Sequence, residues 1–147
     1  MLADASSGQA SERGSGDLRT TTIMEIFREF TFDAAHRLDH LPPGHKCARL
    51  HGHTYRLTVY LDGPLDPTMG WVVDFAEVKR LTQRVLEPLD HHLLNDVPGL
   101  EQPTTERIAM WVWDRLKPEL PQLSKVVLWE NANSGCTYTG PSGEGGD

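Results

Sequence analysis

Cysteine is scarce in this 147-residue chain. Cys47 and Cys136 are the only two, far apart, which excludes a disulfide framework, and no C-x-x-C pair suggests a zinc site built on paired thiolates. Both thiols are expected to be free. Runs of Lys and Arg are also missing, and the formal net charge is −7, part of it carried by acidic flanks. Such a chain lacks the basic footprint of a nucleic-acid binder, although a small phosphorylated ligand, which answers only to local charge, stays possible. No apolar stretch approaches the roughly 20 residues that span a bilayer, and the N-terminal residues carry no apolar signal core. No membrane association is expected, and a cytoplasmic location is predicted. Hydrophobic residues make up only 38%, a deficit that thirteen Gly and ten Pro in tails and turns largely explain.

Residues 1–22, rich in Ser, Gly and acidic residues, show neither helical nor strand period and read as a disordered extension, as do 140–147 as a flexible tail. One domain is expected over 23–139. Met24, Ile26, Phe30, Phe32 and Ala34 share a parity that predicts a strand ending at His36, with Phe27 and Arg28 breaking the alternation. Residues 37–50, with Pro42-Pro43-Gly44, form a loop. Tyr55, Leu57, Val59 and Leu61 mark a second strand from His51. Asp74 and Glu77 open a helix whose stripe is Phe75, Val78, Leu81, Val85 and Leu86. Thr104 or Thr105 opens another, with Ile108, Trp111, Val112 and Leu116 on one face. Lys125–Asn131 and Cys136–Thr139 complete the order β-β-α-α-β-β. The expected class is α+β: an antiparallel four-stranded sheet with two helices on one face.

The strongest chemical signal is His51-Gly52-His53. Histidines at i and i+2 of a strand point the same way, about 7 Å apart along it, and can share one metal ion. His36 ends the neighbouring strand on its apolar parity and can join them. Three imidazoles make a catalytic type of Zn²⁺ site with one open position, whereas a structural zinc would recruit a fourth ligand from His40, His45 or Cys47. A lone histidine is more often a satisfied surface or core residue, but five of the seven fall between positions 36 and 53.

Other residues have two readings each. Cys47, beside Lys46 and near the histidines, is either a thiolate base or an inert or metal-bound cysteine. In Asp90-His91-His92 the carboxylate can orient an imidazole, or the histidines simply sit at a helix C-terminus where their charge is welcome. Glu130 shares the parity of Val126 and Leu128. It either turns into solvent or accepts two adjacent N–H groups of a ligand such as a pterin or guanine.

Taken together, several segments resemble one family, the 6-pyruvoyltetrahydropterin and 6-carboxytetrahydropterin synthases. They are Phe32-Asp33-Ala34-Ala35-His36, Cys47-Ala48-Arg49-Leu50-His51-Gly52-His53, Val73-Asp74-Phe75, Leu89-Asp90-His91-His92-Leu93, Pro103-Thr104-Thr105-Glu106 and Trp129-Glu130. The three residues between Cys47 and His51 look like the 6-carboxytetrahydropterin branch of queuosine biosynthesis. The resemblance implies a tunnelling fold assembled as a hexamer from two trimers, with sites between subunits. It also implies Zn²⁺ on His36, His51 and His53, and Cys47, Asp90 and His91 as the acid–base groups. Glu130 with Thr104 or Thr105 would hold the pterin. The implied reaction converts 7,8-dihydroneopterin triphosphate to 6-carboxy-5,6,7,8-tetrahydropterin, acetaldehyde and triphosphate. Rivals are triphosphate elimination of the pyruvoyl type and a non-catalytic zinc or pterin-binding module.

Overall fold

In the computed structural model, residues 22–142 are described. The expectations for 1–21 and 143–147 lie outside them. Strand β1 runs Ile23–His36 and β2 His51–Pro64, paired antiparallel in a register that sets His36 opposite His51 and Ala34 opposite His53. Helix α1 (Phe75–Leu86) follows, then a two-residue strand β3 (His92–Leu93), helix α2 (Thr105–Leu116), β4 (Leu123–Trp129) and β5 (Gly135–Tyr138). The sheet order is β3-β1-β2-β4-β5.

The alternation in β1 and β2 has the expected consequence. Phe32, Ala34, Tyr55, Leu57, Val59 and Leu61 are buried in one cluster with Val126 and Leu128 of β4 and the apolar stripes of both helices. Both helices therefore cover one face of the sheet. Glu29, Thr31, Asp33, Thr54 and Arg56, of the opposite parity, are exposed on the other. Phe27, which broke the alternation, points to that outer face against Tyr60, with ring centroids 5.6 Å apart. Asp74 caps α1 by accepting the N–H of Ala76 at 2.9 Å, while Glu77 pairs with Arg80 at 2.7 Å. Of the α1 stripe, Val78, Leu81 and Leu86 are buried, but Phe75 at the first turn is exposed.

Two features depart from the expected architecture. The sheet has five strands, and one pairing is parallel, because His92 and Leu93 lie alongside Ala34 and Ala35 of β1. Two residues are too few to show a period, so pattern reading passes over such a strand. The chain enters this strand from the turn after α1 through His91, which has φ 62°. Among the described residues, no helix is long and apolar enough to cross a membrane.

Candidate metal centre and acid–base groups

Strand pairing, rather than loop packing, assembles the three histidines. His36 ends β1, and His51 and His53 open β2 with Gly52 between them, so the register places all three imidazoles on the helix-covered face at the end of the apolar stripe. His36 is 1% exposed. Ring centroids are 4.6 Å apart for His36 and His51, 5.1 Å for His36 and His53, and 4.9 Å for His51 and His53.

Hydrogen bonding decides which nitrogens face inward. Nδ1 of His36 donates to the carbonyl of Pro103 at 2.7 Å, and Nδ1 of His51 donates to the carbonyl of Arg49 at 2.7 Å. A carbonyl oxygen can only accept, so in each neutral ring the proton resides on Nδ1 and Nε2 carries a lone pair. Those two Nε2 atoms lie 3.0 Å apart. Two lone pairs that close repel unless a cation or proton lies between them. Two nitrogens about 2.0–2.1 Å from one tetrahedral zinc would be separated by roughly 3.3 Å. Nε2 of His53 is buried without a hydrogen-bond partner; Glu130 Oε2 stands 3.2 Å from it, but out of hydrogen-bond alignment. Burial, above all, holds the His36 and His53 imidazoles below the ordinary histidine range, which keeps their lone pairs free. The donor set thus fits a divalent metal. Among the described residues, His36, His51 and His53 form a group whose ligand atoms lie within 4.8 Å of one another, and no fourth side chain belongs to it.

Beneath the triad, Tyr55 packs against His53 with centroids 5.5 Å apart and stacks on Phe32 at 5.0 Å. Burial, followed by the charge of Glu130, pushes its hydroxyl well above the usual tyrosine range, so it stays neutral. As an apolar-parity strand residue, Tyr55 carried only a core signal in the sequence.

Glu130 follows β4, half-buried, and accepts a short hydrogen bond from the hydroxyl of Thr105 in the first turn of α2. The triad, Glu130 and Thr105 therefore form one contiguous polar surface. Thr104 is occupied otherwise: its hydroxyl caps α2 by accepting the N–H of Arg107 at 3.2 Å. Cys47 lies in a 3₁₀ turn, Lys46–Ala48, within the 37–50 loop and does not join the histidine group. Its N–H donates to Nδ1 of His45 at 3.0 Å, and its carbonyl accepts from Leu38. The start of that loop is tied down by Asn95, whose amide exchanges two hydrogen bonds with the main chain of Arg37 at 2.9 and 2.8 Å.

Asp90 and His91 are paired, Oδ1 to Nδ1 at 2.9 Å, at the β1 edge of the sheet. They belong to a second group that includes Asp33, whose carboxylate faces away from the triad. Within one chain, the Asp90–His91 pair thus clusters with a carboxylate of the exposed face of β1, while the histidine group lies on the covered face.

A family model described as 6-pyruvoyl tetrahydropterin synthase matches residues 25–141. A Synechocystis protein named 6-carboxy-5,6,7,8-tetrahydropterin synthase is 41% identical over 122 residues, covering 79% of this chain and 93% of that one. The Pyrococcus furiosus dihydroneopterin monophosphate aldolase is 36% identical over 113 residues, covering 75% and 92%. The solved structure of the Caenorhabditis elegans 6-pyruvoyl tetrahydropterin synthase aligns with a TM-score of 0.77 at 33% identity, over 82% of this chain and 98% of that one. Three differently named proteins thus share nearly their full length with this chain, and the matched span contains the hairpin, both helices and every candidate site residue. The chain belongs to the 6-pyruvoyl tetrahydropterin synthase family.

Proposed function

We propose that the chain is a zinc-dependent carbon–carbon lyase that converts 7,8-dihydroneopterin triphosphate to 6-carboxy-5,6,7,8-tetrahydropterin with release of acetaldehyde and triphosphate. Its place is cytoplasmic queuosine biosynthesis. The observation that carries the reading is the convergence of three imidazoles, two of them with Nδ1 anchored to main-chain carbonyls, and no fourth side chain in the group among the described residues. It is supported by the 41% identity to a relative of that name and by the three-residue spacing from Cys47 to His51. Zn²⁺ held by His36, His51 and His53 supplies Lewis acidity that makes bound hydroxyl protons easier to lose.

The chain's own groups do the rest. Glu130, with one oxygen steadied by Thr105, accepts the 2-amino and N3 hydrogens of the pterin and fixes the ring relative to the triad. Cys47 as thiolate takes a proton from the side chain, and His91, oriented by Asp90, is the second acid–base group. Because Asp90 and His91 cluster apart from the triad of their own chain, a second copy must deliver that pair to the bound pterin. Two features favour such an assembly. Most of β1 offers an open edge beyond its two pairs with β3, and β5 forms the other edge, while a groove of about 640 Å³ whose lining includes Arg28, Lys79 and Arg84 together with Glu29, Glu87 and Asp90 follows β1. Closing both edges against neighbouring copies gives a trimeric barrel, and two trimers give the hexamer.

Incubation of zinc-loaded protein with dihydroneopterin triphosphate, followed by mass identification of the products, is the test. Acetaldehyde together with the 6-carboxy product supports the reading. A 6-pyruvoyl product without acetaldehyde moves the chain to the pyruvoyl branch, and metal and pterin binding without turnover reduces it to a binding module.

A further inference from the structure

The end of the β1–β2 hairpin is used on both faces. On the covered face Ala34 opposes His53 and His36 opposes His51; on the other, Asp33 opposes Thr54. The Thr54 hydroxyl donates across the strands to Oδ1 of Asp33 at 2.5 Å. Asp33 in turn meets the Asp90–His91 pair in three ways. Its N–H donates to Oδ1 of Asp90 at 3.0 Å, and its carbonyl accepts the N–H of His91 at 2.6 Å. Its carboxylate, that of Asp90 and a ring nitrogen of His91 lie within 4.8 Å of one another.

His91 needs such a hold. Its φ of 62° is a left-handed backbone state costly for a residue with a side chain, and its side chain is 77% exposed. An imidazole without packing has its direction set only by the hydrogen bonds made by its ring and its backbone.

We propose that Asp33, braced by Thr54, is a positioning residue for the Asp90–His91 acid–base pair. The inference rests on the role given to His91 above. Asp90 and Asp33 place two carboxylates beside the ring, a setting that keeps the proton on Nδ1 and leaves Nε2 for exchange with a ligand. Because Thr54 directly follows His53, the same tie couples the placement of the pair to the strand that carries the metal ligands.

Asp33→Asn keeps the main-chain bonds and an acceptor for Thr54 but removes the charge; Thr54→Val removes the hydroxyl, and Thr54→Ser restores it. In zinc-loaded protein, Asp33→Asn and Thr54→Val are expected to lower kcat by about tenfold or more, with KM and zinc content unchanged. Thr54→Ser recovers most of the loss. Nitrogen NMR of the His91 ring gives a readout independent of turnover, with the Nδ1–H tautomer dominant in the unaltered protein and mixed in Asp33→Asn. An unchanged tautomer in Asp33→Asn overturns the inference. If His91→Ala retains full turnover, the acid–base reading of His91 fails instead, and the tautomer comparison still decides whether Asp33 positions the ring.

Discussion

The two histidine-containing clusters differ in almost every physical respect, although Asp33 of one and His36 of the other lie three residues apart on β1. His36, His51 and His53 are buried or half-buried, and two of their rings are pinned to main-chain carbonyls. Asp33, Asp90 and His91 are exposed or half-exposed, and the imidazole rides on a left-handed residue at a sheet edge. A buried cluster of lone pairs is preorganised to take a cation, and the fold supports that arrangement before any ligand arrives. An exposed imidazole at an edge gains a dry environment only when something packs against it. The histidine group is therefore assembled within one chain, whereas the proposed acid–base role of Asp90 and His91 requires a partner to cover them.

The sharpest way to break this contrast is His51→Ala. Removing a ligand should strip zinc and abolish turnover, exceeding the roughly 10–100-fold loss typical when a supporting partner of a ligand is removed. Metal analysis of the purified variant checks it, and full zinc occupancy would dissolve the proposed centre. Cys47→Ala comes next: turnover should fall by about a hundred- to ten-thousand-fold while zinc content is unchanged. Loss of metal in that variant would recast Cys47 as a ligand and close the open position.

Glu130→Gln keeps the shape of the side chain but loses the charge-assisted acceptance of two N–H groups. The dissociation constant for the pterin, measured by titration, should rise by about tenfold or more. An unchanged affinity removes Glu130 from the pocket. The smallest expected effect concerns zinc-free protein and pH. His36 and His53 have proton affinities lowered chiefly by burial, so below pH 6.5 the unfolded chain binds more protons than the folded one. Their contribution to stability is fully present above pH 6.5 and is lost as the pH falls through the lowered folded values. A modest drop in Tm of the chelated protein between pH 7 and pH 5.5 is expected. A Tm that holds or rises on acidification contradicts the buried, neutral state of these rings.

Much of this was legible beforehand because it depends on short-range order. Period-two patterning identified β1, β2 and β4, and the capping residues Asp74 and Thr104 marked the helix starts to within a residue. The i, i+2 spacing of His51 and His53 implied a shared side that the parity of His36 allowed it to join, and the register sets His36 opposite His51. What escaped notice has in each case a non-local cause. Strand β3 is too short to carry a pattern and exists only because β1 lies beside it. Thr104 and Thr105 were equivalent in sequence, but one faces its own helix and the other reaches Glu130.

By itself, the order of residues determined which faces of the strands are apolar, where the helices begin, and that three imidazoles lie on one side of a hairpin. These follow from backbone periodicity and capping, which act over a few residues. Only the tertiary structure decided that Pro103 and Arg49 hold the Nδ1 protons of His36 and His51, that Asp33 clasps a pair 57 residues away, and that this pair clusters apart from the three histidines. Those outcomes depend on strand register and on which carbonyl or amide comes to rest beside a given ring, and chain folding, not local spacing, brings such groups together.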